Sequence, residues 1–228
     1  MRSMYTYIEQ APAIARDIIA HREALVGPLV EQFCGMAPKR LLIVASGSSY
    51  DIAMSMRPFM QQTLGIEVSV EWPMSYILYN HAQNDETFVL CMSQSGRSTN
   101  TIEAVRRAQA CGHHVAVLTC NPDAPMREYC EHVYAYGSGT EDYYVAKGFP
   151  TSCIYLALFA IEAARALDVR GADDCAALLS DVSAVVEDMD GVYRAARSFA
   201  EKHLDAFVDA RRIMCVGIGA GYGVALEG

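Results

Sequence analysis

Five short apolar segments, residues 41–45, 66–71, 87–92, 114–119 and 132–136, constrain this chain more than any other feature of its sequence. Each is five or six residues, mostly apolar, and the stretches between them carry apolar positions at helical spacing. A strand covered on one face alternates apolar and polar residues, whereas a strand covered on both faces reads as a continuous apolar run. Five such runs with helices between them imply a parallel sheet with helices on both sides, because right-handed crossovers place the connections on either face. The expected fold is therefore α/β, a doubly wound five-stranded parallel sheet, and by analogy with other doubly wound sheets its expected strand order is 2-1-3-4-5. With 228 residues, 52% of them hydrophobic, the chain has enough apolar surface to build such a core.

The remaining segments set the expected domain plan. Residues 1–40 read as a helical lead-in, with Ile8, Ala11, Ile14, Ala15, Ile18 and Ile19 spaced for one face of an amphipathic helix. Residues 41–170 form the sheet domain, with helices expected at 99–111, 148–167 and, shorter, at 122–130. Gly171-Ala172-Asp173-Asp174 breaks the pattern with N-capping chemistry, and two helices, 173–188 and 191–209, then make a helical connection over 171–210. Residues 212–217 repeat the strand-to-glycine pattern of 41–47, so 211–228 is expected to be the incomplete start of a second, similar domain.

Charge and cysteine usage exclude several function classes. A net charge of −9 without a Lys/Arg-rich run argues against nucleic acid as a partner. A small anion stays open, because backbone N–H groups bind anions without net positive charge. The eight cysteines form no CxxC pair and several lie inside apolar runs, which reads as reduced, buried thiols and a cytoplasmic protein. The apolar runs are too short to span a bilayer, so no membrane partner is expected. His113 and His114 have no Cys, Asp or Glu at ligand spacing, and no metal is expected. Neither GxGxxG nor GxxxxGK[ST] follows a strand, and the glycine-rich residues 217–223 lack room for a βαβ unit, so no organic cofactor is expected either.

Two hydroxyl-rich loops remain. Ser93-Gln94-Ser95-Gly96-Arg97-Ser98-Thr99 follows the third apolar run, at the strand end where open α/β sheets bind ligands. Hydroxyl donors, a glycine that admits close backbone approach, and the free N–H groups and positive dipole end of the following helix make an anion cradle. An ordinary serine-rich turn with Ser98 or Thr99 as N-cap explains the same composition. Ser46-Gly47-Ser48-Ser49 occupies the equivalent end of the first run, and two such loops flanking one crevice suit a polyhydroxylated, phosphorylated ligand. Glu141 and Asp142 pair in a later loop, as candidate carboxylates or as caps, and Lys147 as a phosphate contact or a surface residue.

The runs LLIVASGSSYDIA and VLCMSQSGRSTNT, the stretch from Gly139-Thr140-Glu141 to Lys147-Gly148-Phe149, and the late VALEG together resemble the SIS (sugar isomerase) domain family. The likeness is to the isomerase half of glucosamine-6-phosphate synthase and its relatives that lack a glutaminase domain. The resemblance implies a flavodoxin-like fold, a homodimer, no cofactor, and a phosphorylated sugar or amino sugar as ligand. It further implies sugar contacts from Ser46, Gly47, Ser48 and Ser49, and phosphate contacts from Ser93, Gln94, Ser95 and Ser98. Contacts near the sugar fall on Val145, Ala146 and Lys147, where this chain reads Val-Ala-Lys in place of a longer Ser-Thr-Lys segment. Glu227 matches the carboxylate of the family's ALEG motif and is the candidate catalytic residue, while the proton shuttle itself is expected beyond Gly228, so that this chain alone is expected to lack the catalytic base. The implied activity is that of a phosphosugar isomerase, deaminase or deglycase working through an enediol or enolamine, which needs a carboxylate within hydrogen-bond reach. The alternative is a non-catalytic SIS module that senses a sugar phosphate.

Overall fold

The computed structural model describes residues 4–80, 86–121, 123–141 and 145–228. Strands β1 (Arg40–Ala45), β2 (Glu67–Glu71), β3 (Thr87–Met92), β4 (His114–Thr119) and β5 (Val133–Ala135) form one all-parallel sheet in the order β2-β1-β3-β4-β5. This is the strand order expected from the sequence. Side chains alternate across each strand, and both faces are covered. Leu41, Ile43, Ala45, Phe88, Leu90, Ala116 and Leu118 enter one core, while Leu42, Val44, Val89, Cys91, Val115 and Val117 enter the other.

The first face is covered by α1 (Met4–Ala20), α2 (Arg22–Met36), α3 (Ser48–Leu64) and α6 (Gly148–Ala166). α6 is the central helix of this layer, buried along most of its length, as its Ala- and Leu-rich sequence requires. Phe33 of α2 packs edge-on against Phe88 of β3 and Phe159 of α6, both at 5.2 Å between ring centroids. Such pairs add about 0.5–1.5 kcal/mol each beyond burial. The N-terminal helices are thus built into the main core. The other face carries α5 (Thr99–Ala110), with Tyr76 and Ile77 from the turn α4 (Pro73–Ser75) and the wider helical turn Tyr76–Asn80 that continues it.

Three expectations change. The segment at 122–130 is a single 3-10 turn, Pro125–Glu128, and Pro122 lies outside the described residues. The two helices expected at 173–188 and 191–209 are one 31-residue helix, α7 (Ala172–Lys202), followed by the short α8 (Leu204–Asp209). Gly191 does not break α7, because an interior glycine costs about 1 kcal/mol and α7 is held on both sides of it. Arg16 of α1 pairs with Asp190 at 3.4 Å, and Tyr193 donates to Glu9 at 3.2 Å. Finally, residues 212–217 are not a strand: Met214 and Val216 are 87% and 84% exposed, and no described strand lies beside them to accept their backbone hydrogen bonds. The chain then enters α9 (Ala220–Glu227), which packs on α3.

Candidate functional site

The loops after β1 and β3 meet at the carboxyl edge of the sheet. β1 ends at Ala45 and α3 begins at Ser48, so the chain turns within two residues. Gly47 makes the turn with φ 55°, a value side chains rarely adopt, and its carbonyl accepts the N–H groups of Tyr50 at 2.8 Å and Asp51 at 3.1 Å. The loop after β3 is tied to the end of β4. The Gln94 carbonyl accepts from Cys120 N at 2.9 Å and Thr119 Oγ1 at 3.0 Å, and Ser93 N donates to Leu118 O at 3.0 Å. Gly96 lies against Ala124, where a Cβ would approach the alanine methyl to 2.3 Å. Ser98 caps α5, accepting from Thr101 Oγ1 at 3.0 Å and from Thr101 N at 3.4 Å.

A cleft of about 210 Å³ opens between these loops, lined by Ser46, Ser48, Ser49, Met92, Ser93, Gln94, Ser95, Ser98 and Val145. Seven of the eight loop positions singled out from the sequence line it, and Gly47 supplies the turn between them. Val145 closes it from the third segment. Of the other two residues there, Ala146 lines an apolar groove between α1 and α7, and Lys147, 6% exposed, holds its Nζ 5.4 Å over the Tyr7 ring. That groove is larger, about 490 Å³, but its lining is almost wholly apolar and offers no cradle for an anion. At the cleft, five serine hydroxyls together with Ser98 and the first turn of α5 present donors to an anion.

Glu141 is the cap of α6. Its carboxylate accepts from the backbone of Ala146 and Lys147 at 2.8 Å and of Gly148 at 2.7 Å, and from Gln94 Nε2 at 2.8 Å. The capping role weighed for it from sequence is the one the geometry supports, and it also fixes the Gln94 side chain at the cleft. Asp142 lies outside the described residues. A second polar cavity of about 280 Å³ shares Gln94 and Ser95 with the cleft and adds Arg97, Cys120, Asn121, Thr140 and Glu141. Burial, with a smaller contribution from the Glu141 charge, pushes the Cys120 thiol up to about 11, so it is no thiolate nucleophile.

Glu227 reaches the first loop from α9. Its Oε1 accepts from Ser48 Oγ at 2.8 Å. The residue that sequence reading missed is Asp51, in the first turn of α3. It is 8% exposed, and burial followed by a hydrogen bond to Glu227 and its charge pushes its carboxyl up to about 6. Locally it reads as an acid favoured by the helix dipole, and only the docking of α9 from the far end of the chain gives it a partner. Among the described residues no group of three or more His, Cys, Asp and Glu is placed to hold a metal ion, and no helix is long and apolar enough to cross a membrane.

The chain is similar to known proteins in sequence and fold. The family model for the SIS domain matches residues 37–166. A glutamine–fructose-6-phosphate aminotransferase (isomerizing) of Zymomonas mobilis is 27% identical over 197 residues, covering 83% of this chain and 31% of that protein. The chain thus spans about a third of the length of the curated relatives it matches. In fold, it is similar to the C-terminal domain of glucosamine-fructose-6-phosphate aminotransferase from Francisella tularensis, with a TM-score of 0.86 at 19% identity, covering 98% of this chain and 65% of that one. A glucosamine-6-phosphate deaminase of Thermotoga maritima superposes with a TM-score of 0.68 at 15% identity, over 98% of this chain and 64% of that one.

Proposed function

The chain belongs to the SIS domain family, and from that premise we propose that the Ser46–Ser98 cleft holds a hexose or amino sugar 6-phosphate for aldose–ketose or deamination chemistry. The carrying observation is the convergence of both hydroxyl-rich loops on one cleft at the N-terminus of α5. Ser93, Ser95 and Ser98 with the α5 amides receive the phosphate, where charge-assisted hydrogen bonds and the helix dipole act together. Ser46, Ser48 and Ser49 with the Val145 segment receive the sugar chain. Phosphosugar chemistry in the names of the relatives, an isomerizing aminotransferase and a deaminase, supports the substrate class.

Glu227 is the candidate catalytic carboxylate within this chain. Interconversion of an aldose and a ketose moves one proton between neighbouring carbons through an enediol or enolamine, and a carboxylate held at the sugar loop can accept that proton and return it. Its bond from Ser48 ties it to the loop that receives the sugar. The same reading takes residues 211–228 as the start of a second unit of the same kind and the working form as a homodimer.

Calorimetry of glucosamine 6-phosphate and fructose 6-phosphate, with the Ser93→Ala/Ser95→Ala variant alongside, tests the reading. Loss of two hydrogen bonds to a charged phosphate is expected to weaken binding by about 100-fold or more. Equal affinity in wild type and variant, or no saturable binding of either sugar phosphate, overturns it. Binding without conversion would favour the sensing module.

A further inference from the structure

Two carboxyl groups that lie 176 positions apart in the sequence meet beside Ser48, which lines the cleft. Asp51 stands in the first turn of α3, almost fully buried, with its carboxyl in hydrogen-bond contact with that of Glu227 on α9. Glu227 is held from its other side by Ser48 Oγ at 2.8 Å. The two helices are pressed together at this turn. A Cβ on Gly223 would fall 2.3 Å from the Asp51 carbonyl oxygen and from Ser55 Oγ, so glycine is what lets α9 approach. Two carboxylates in contact repel when both are ionised, whereas a single proton between them makes a charge-assisted hydrogen bond.

We propose that Asp51 is the positioning residue for Glu227: its protonated carboxyl donates to the Glu227 carboxylate and holds that group on Ser48 at the edge of the cleft. What Glu227 acts on rests on the phosphosugar reading above, but the carboxyl pair stands on the geometry of α3 and α9. The surroundings contain little to stabilise two ionised groups. From α9 come Glu227 and Tyr222. On α3 stand Tyr50 and, farther along, Arg57 beside residues 217–222. β2 contributes Glu71, which like Asp51 lies close enough to raise Tyr50. Arg40, the ionisable residue of β1, is at the opposite end of the sheet with Glu67. On α6, Cys153 is half-buried, Glu162 is held by Arg22 and Arg165, and Lys147 at its N-cap stands over Tyr7.

The sign follows from the direction of the shift. Asp51 has an ordinary value of 3.8 and is raised to about 6 in the docked structure by burial first and by Glu227 second. Docking is therefore fully favoured below the ordinary value and is weakened as pH rises through about 6, when Asp51 ionises against Glu227.

The chain contains a built-in reporter. Its single tryptophan, Trp72, stacks on the Tyr50 ring at 4.3 Å and 21°, one residue from Asp51. Tyr50 in turn lies close enough to Tyr222 of α9 to feel its charge. Tryptophan fluorescence of the full chain, titrated between pH 4.5 and 8, should show a step centred near pH 6. Asp51→Asn keeps a donor toward Glu227 at every pH and is expected to abolish the step. Glu227→Gln removes the repulsion but not the burial, and is expected to move the step to lower pH; because Glu227 is exposed, this variant keeps the fold even where Asp51→Asn does not. Superposable curves for wild type and both variants overturn the proposal. A step in wild type that Asp51→Asn loses and Glu227→Gln moves to lower pH supports it whether or not a sugar phosphate binds. If glucosamine 6-phosphate binds, its affinity should fall across the same step in wild type and stay level in Asp51→Asn; if it does not bind while the step persists, the cleft reading fails and the carboxyl pair remains.

Discussion

Gln94, Glu141 and Gly148 show how little freedom the residues behind the cleft have. Glu141 accepts three backbone N–H groups at the start of α6 and the Gln94 amide, and a Cβ at position 148 would lie 2.2 Å from Gln94 Nε2 and 2.6 Å from Glu141 Oε2. Removing the carboxylate leaves these donors unpaired next to the ligand loop. Glu141→Ala is expected to cost about 2–4 kcal/mol of stability, read as a lower midpoint in urea unfolding. An unchanged midpoint would show that water replaces the cap without loss. At this scale the sequence was partly legible. Serines and glycines near strand ends announce a turn that can bind an anion, because their chemistry is local. Ser98 meets both readings at once, capping α5 while lining the cleft. Asp51 was not legible, since its meaning comes from a helix that no local pattern connects to it.

Elements follow the same division between local and distant causes. β1, β3 and β4 and the helices α5 and α6 were readable nearly to the residue, because each is a continuous apolar run or a strongly periodic face with its own start and stop signals. Residues 212–217 have the composition of a strand but lie beside none, and composition cannot supply a hydrogen-bonding neighbour. The turn that follows them does repeat the first one. Gly47 before α3 has φ 55° and ψ −142°, and Gly219 before α9 has φ 56° and ψ −127°. This match supports reading 211–228 as a second start of the same motif. α7 was misjudged for the opposite reason: two helices, 173–188 and 191–209, were expected where the tertiary contacts of α1 carry one helix through Gly191. Nothing nearer than Arg194 at 4.0 Å would meet a Cβ at Gly191. Gly191→Ala is therefore expected to stabilise the chain by about 0.5–1 kcal/mol, seen as a raised thermal midpoint; a lowered one would mean that α7 needs flexibility at that point.

Across the whole molecule, a net charge of −9 surrounds a cleft proposed to take an anion. The account places the attraction in short-range donors, the hydroxyls and the amides at the start of α5, and not in the protein's overall field. Strand order determines where those donors sit. Because β1 and β3 are neighbours at the centre of the sheet, with β2 and β4–β5 on either side, their two loops share one crevice at the carboxyl edge. The most direct test is a titration of the ¹⁵N-labelled chain with glucosamine 6-phosphate, followed amide by amide. Saturable shifts concentrated at residues 46–49 and 93–99 are expected. Shifts centred instead on the cavity of Arg97, Asn121 and Thr140, or on the groove between α1 and α7, or no saturable shifts at all, would contradict the assignment of the cleft.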